Sequence, residues 1–96
     1  MSDIDSLRKR IDALDVELVR LLSERAACAL EVGRLKEQLG MPIYQPAREA
    51  DVLTNVRTAN QGPLGDEALT RLFERIIDEA RRLERVAAAH RDEKSG

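Results

Sequence analysis

The chain has no tryptophan, one tyrosine (Tyr44), one phenylalanine (Phe73), one histidine (His90) and one cysteine (Cys28) in 96 residues. An intrachain disulfide is therefore impossible, and one Cys with one His cannot supply a typical zinc site. The sequence has no glycine-rich phosphate loop. Ser6, Ser23, Thr54, Thr58 and Thr70 have no histidine placed to activate them, and His90 lies in the polar end of the chain. Nucleophilic catalysis through a base-activated hydroxyl is not expected. No apolar run reaches the ~20 residues that span a bilayer. The opening Met-Ser-Asp-Ile-Asp is acidic and lacks the apolar stretch of a secretory signal, so the chain reads as cytosolic. With 16 basic and 18 acidic residues the net charge is −2, which leaves no broad basic field for nucleic acid.

What remains is rich in Ala, Leu, Glu and Arg. These side chains lose little rotamer freedom in a helix, so an all-α fold is predicted. Breakers are gathered at two places: Gly40, Met41 and Pro42 with Pro46, and Asn60 through Gly65. They divide the chain into three helices. The first is predicted from about Asp3 to Leu39. The second starts near Pro46, where a missing N–H costs nothing. The third opens at Asp66, read as its N-cap. Residues 1–90 are expected to form one domain, and residues 91–96 a polar tail that frays.

In the first helix Ile4, Leu7, Ile11, Leu14, Leu18, Leu21, Cys28, Val32, Leu35 and Leu39 recur at spacings of three and four, a heptad seam. Such a helix is about 54 Å long at 1.5 Å per residue. A compact domain of this size has a radius of gyration of only about 12–13 Å. The two shorter helices cannot cover that seam, and a second copy of the chain is the simplest cover. The third helix carries its own stripe: Leu69, Leu72, Phe73, Ile76, Ile77, Ala80, Leu83 and Ala87.

The informative charges are those set into apolar faces, because an unpaired buried charge is costly. Arg25 occupies a seam position. Read alone, it either fixes the register of a helical pair or serves a site. Lys36 follows 11 residues later, about 20° from the same face and about 16 Å along the axis. Two long side chains leaning together reach one small anion, although Lys36 alone also fits a snorkelling flank. Arg8 lies about 25 Å from Arg25 along the helix and about 100° around it, so one chain cannot bring both to one small ligand. Arg48 and Glu49 open the second helix. Glu49 suits the helix dipole there and Arg48 opposes it. Glu84 sits in the third helix's stripe, either at its edge with the carboxylate in water or buried and able to carry a proton. A site made of these residues works through fixed charges and hydrogen bonds, with no metal or cofactor called for.

Leu7-Arg8-Lys9-Arg10-Ile11-Asp12-Ala13-Leu14-Asp15, Leu21-Leu22-Ser23-Glu24-Arg25, Glu31-Val32-Gly33-Arg34-Leu35-Lys36 and Pro42-Ile43-Tyr44-Gln45-Pro46-Ala47-Arg48-Glu49 resemble, in this order and spacing, the motifs of the all-helical chorismate mutases. The resemblance resumes at Thr70-Arg71-Leu72-Phe73-Glu74-Arg75-Ile76-Ile77 and reaches Glu84. It implies an intertwined homodimer of three-helix chains that rearranges chorismate to prephenate without a cofactor. Arg25 and Arg8, the latter donated across the dimer, would clamp the two substrate carboxylates. Lys36 and Glu84 would donate to the ether oxygen, Glu49 would accept from the ring hydroxyl, and Arg48 would line the pocket. Two positions depart from the best-known pattern: Gln45 stands in place of Asp, and Ala80 in place of a Ser found in some members. The second loop is also one residue shorter than in some relatives.

Two other readings remain at the level of sequence. An isochorismate-pyruvate lyase has the same fold and a similar pocket. A non-enzymatic helical adaptor explains the seam, but leaves Arg25, Lys36 and Glu84 without a purpose.

Overall fold

The computed structural model describes residues 3–95, and side chains are described through residue 93. It consists of three helices: α1 (Ile4–Leu39), α2 (Pro46–Ala59) and α3 (Asp66–Ser95). The predicted architecture is observed, with no strand among the described residues.

Each boundary has a local cause. Asp3 caps α1 by accepting from the Ser6 N–H at 2.7 Å. At the other end Gly40 takes the left-handed conformation at φ 70°. The Met41 N–H returns to the Lys36 carbonyl at 2.8 Å and the Gly40 N–H to the Glu37 carbonyl at 3.3 Å. This paired closure needs a positive φ that glycine adopts without strain. Pro46 occupies the first turn of α2, as its sequence position predicts.

One expectation is corrected. Asp66 is the first helical residue of α3, and the preceding Gly65 carbonyl accepts from the Leu69 N–H at 3.1 Å. The Asp66 carboxylate is engaged elsewhere, by the Asn60 side-chain amide at 2.8 Å. That same Asn60 also holds the Leu64 carbonyl and the Gly62 N–H, each at 2.8 Å, and so shapes the second connection. Helix α3 continues through the polar residues after His90 to Ser95. There Arg91 Nε donates to Glu37 of α1 at 2.6 Å and ties the two helices together. Gly96 lies outside the described residues.

Helix α3 packs on both α1 and α2, while α1 and α2 do not pack on each other. The result is long and thin, 61 × 27 × 15 Å with a radius of gyration of 17.1 Å. A compact fold of this length would reach only about 12–13 Å. Ile77 is the one buried large hydrophobic among the described residues, whereas Ile4, Leu7, Ile11, Leu14, Leu18 and Leu21 of the α1 seam are all exposed. Leu72 and Leu83 of the α3 stripe are also exposed. One chain therefore leaves its α1 seam uncovered and part of its α3 stripe exposed, as the length of the first helix predicts.

Candidate active site

The second half of α1 behaves differently from the first. Between Arg25 and Lys36 it lies against α3, and the approach depends on Gly33, the only glycine within α1 and its one buried residue. A methyl group at Gly33 would stand 3.0 Å from Glu84 Cγ and 3.4 Å from its Cβ and carboxyl carbon. Glycine thus makes the slot into which Glu84 packs. The sequence reading did not use Gly33. A lone glycine inside a long helix, where it weakens the helix relative to alanine, is the signal that marks it.

Glu84 is buried, at 7% exposure, inside the α3 stripe. Its carboxylate meets Lys36 Nζ of α1 at 3.5 Å. Lys36 also donates to the Ile43 carbonyl at 3.2 Å, so its ammonium is held between α3 and the loop that follows its own helix. An ammonium anchored by one carbonyl acceptor and one ion pair is oriented before any ligand arrives.

This pair opens onto a cavity of about 140 Å³, whose walls bring together Arg25 and Lys36 from α1, Gln45, Arg48 and Glu49 from the start of α2, and Ala80 and Glu84 from α3. Every candidate residue proposed from the sequence lines it except Arg8, which lies exposed near the far end of α1. The cavity also contains Arg81, a residue the sequence reading left among ordinary surface charges. Arg81 is four residues after Ile77 and three before Glu84, which places it on the buried face of α3. Its guanidinium meets Glu49 at 3.5 Å and Asp78 at 2.5 Å, and lies over the Tyr44 ring at 4.8 Å.

Four cationic side chains and two carboxylates face this space, in a protein whose net charge is −2. Arg25 and Arg48 make no ion pair among the described residues. Both remain available to an anion, and a guanidinium suits a carboxylate because its planar fork matches both oxygens. Gln45 makes no capping hydrogen bond to α2, although it stands at the cap position. Adjacent to the cavity, and sharing Arg25 and Ala80 with it, lies a groove of about 480 Å³ between α1 and α3, walled by Leu22, Ala26, Ile76, Leu83 and Val86.

The family model of chorismate mutase type II matches residues 7–85. A bifunctional chorismate mutase/prephenate dehydratase of Pseudomonas aeruginosa is 47% identical over 92 residues, covering 88% of this chain and 25% of that protein. The chain thus spans about a quarter of the length of the bifunctional relatives it matches. A chorismate mutase of Methanocaldococcus jannaschii is 31% identical over 80 residues, covering 82% of this chain and 81% of that protein. Among solved structures, chorismate mutase (form II) of Thermus thermophilus superposes with a TM-score of 0.83 at 41% identity, over 85% of this chain and 93% of that one. Chorismate mutase of Helicobacter pylori, solved in complex with prephenate, superposes at 0.82 with 32% identity, over 90% of this chain and 93% of that one. With matching motifs, matching fold and a cavity built from the residues those motifs single out, this chain belongs to the type II chorismate mutase family.

Proposed function

We propose that this chain catalyses the rearrangement of chorismate to prephenate in the Arg25–Lys36–Glu84 cavity. The observation that carries the reading is Lys36, held by the Ile43 carbonyl and Glu84 at the wall of a cavity where Arg25 and Arg48 have no partner among the described residues. Chorismate is a dianion, and a cationic recess in an acidic protein attracts it. The reaction breaks one C–O bond and forms one C–C bond within a single molecule, so the protein has two tasks. Arg25 clamps one carboxylate and holds the folded, reactive conformer, which supplies proximity. Lys36 and Glu84 donate to the ether oxygen, where negative charge grows as the bond breaks. Glu84 does this only as the carboxylic acid, because a carboxylate has no proton to donate. Glu49 accepts from the ring hydroxyl, and Arg48, Gln45 and Ala80 complete the wall.

The second carboxylate needs a cation this chain does not bring to its own cavity. We assign it to the partner subunit's Arg8. The exposed seam from Ile4 to Leu21 and the groove walled by Leu22, Ala26, Ile76, Leu83 and Val86 are apolar surfaces of one molecule that suit each other in a twofold pair. Burying both gives the thin monomer the core it lacks. No helix among the described residues is long and apolar enough to cross a membrane, and we place the dimer in the cytoplasm.

The deciding experiment follows chorismate consumption and identifies the product. Prephenate is expected; pyruvate with salicylate, obtained from isochorismate, would replace the mutase reading by a lyase. An absorbance trace that stays flat with chorismate would leave a helical adaptor. Site sharing is tested by mixing inactive Arg8→Ala and Arg25→Ala proteins under subunit exchange. Random pairing makes half the dimers mixed, each with one intact site, so about a quarter of the wild-type activity returns. No recovery would remove Arg8 from the site.

A further inference from the structure

We infer that Arg81 is a positioning residue: it aims Glu49 at the substrate's ring hydroxyl and so sets the preference for a hydroxyl-bearing substrate. The inference rests on the mutase reading for its substrate, and on geometry for its placement. Helix α2 does not pack on α1, so its first turn has only α3 and the preceding loop to hold it. Arg81 reaches both. One terminal nitrogen meets Glu49 on α2 at 3.5 Å, the guanidinium lies over Tyr44 of the loop at 4.8 Å, and the other terminal nitrogen is fixed by Asp78 of its own helix at 2.5 Å. The Arg81 and Glu49 side chains are 21% and 27% exposed, so their contact is largely shielded from water. Its Nε is buried and has no hydrogen-bond partner. Such a donor is costly to leave unmade, and it is tolerated here by a side chain whose other two nitrogens are committed.

A guanidinium beside Glu49 serves a hydroxyl acceptor by restricting the carboxylate to one direction. The opposite side of the same loop is held by Lys36 through the Ile43 carbonyl, so the residue proposed to donate to the ether oxygen and the residue that aims the hydroxyl acceptor brace one loop from two helices.

The test compares wild type, Arg81→Met and Arg81→Lys on chorismate and on the analogue lacking the ring hydroxyl. Arg81→Met should lower kcat/KM for chorismate about tenfold, the size of one lost charge-assisted hydrogen bond, with a clearly smaller loss on the analogue. Arg81→Lys should restore part of the preference, since it keeps the charge and loses the fork. In a Glu49→Gln background Arg81→Met should add little, as expected of two residues acting as one unit. Equal losses on both substrates, or losses that add in the double variant, would overturn the role. The placement has its own readout: amide exchange over residues 43–49 should quicken in Arg81→Met while residues 25–36 stay protected. Unchanged exchange refutes the inference even if the wild-type protein proves inactive on chorismate, a result that by itself would refute only the proposed function.

Discussion

The two halves of α1 share one apolar period and meet different surroundings. From Ile4 to Leu21 the seam is regular and every large apolar residue on it is exposed. From Arg25 to Lys36 the seam is interrupted by charge; Val32 and Leu35 are still exposed, but there the helix packs on α3, with Gly33 buried and Lys36 paired. A regular stripe that its own chain leaves bare points outward to a partner, because exposed contiguous apolar surface is costly in water. Cations that the fold shelters within an apolar stripe suit a ligand. On the proposed reading, the same helix carries an assembly surface at one end and chemistry at the other.

The strongest way to break this division is to damage the bare half. Leu14→Glu with Leu18→Glu touches nothing in the cavity, yet should give monomers. Chorismate turnover should then fall roughly 10³-fold or more, since the site loses the partner's guanidinium and its charge-assisted bonds. Sedimentation with a parallel rate assay reads this, and an active monomer would end the idea that the two halves depend on each other across subunits.

In the sheltered half the next effect belongs to Glu84. It faces Lys36 from α1, with Arg25, Arg48, Glu49 and Arg81 around the same cavity. Glu84→Ala removes a donor to the developing charge and should lower kcat by about 10²-fold. Glu84→Gln keeps a donor at that position and should retain most of the rate. Equal losses in the two variants would remove Glu84 from the chemistry. Gly33→Ala should cost less, about tenfold in kcat with the dimer intact, as the added methyl pushes Glu84 by a few tenths of an ångström out of line.

The smallest effect belongs to exposed carboxylates along α1 and at its cap. The Ser6 backbone N–H holds the Asp3 carboxyl below the usual range, and hydrogen bonds from Arg20 and Arg34 do the same for Glu17 and Glu31. Each folded value is lowered, so each contribution is present above the unfolded carboxylate range and is lost as pH falls through the folded value. All three groups are fully exposed, so acid should lower Tm only modestly and leave the product of the reaction unchanged. Melting curves from neutral pH down through the carboxylate range measure this.

Much of the site was legible before the fold was known, and the reasons are specific. Arg25 and Lys36 recur at helical spacing, so one chain segment already places them on one face. Arg8 fails the same arithmetic, and that failure is the argument for a second chain. Glu84 is visible as a charge inside an apolar stripe. Gly33 and Arg81 carry only weak signals within their own helices, a lone glycine and a charge beside the apolar stripe, and neither signal says what it meets. Gly33 matters for what approaches it, and Arg81 for the loop and helix it reaches. Asp66 was read as a cap because Asp before an apolar run usually is one; the structure assigns its carboxylate to Asn60 instead.

The sequence by itself determined the local choices: three helices, their breaks at Gly40 and at residues 60–65, the bare seam, and the candidate charges. These follow from dihedral preference and periodicity, which act over a few residues. Only the tertiary structure decided that α3, not α1, carries α2, that Glu84 enters the slot at Gly33, and that Arg81 faces Glu49 across two helices. Such pairings depend on which surfaces come within a few ångströms of each other, and a spacing along one chain does not contain that distance.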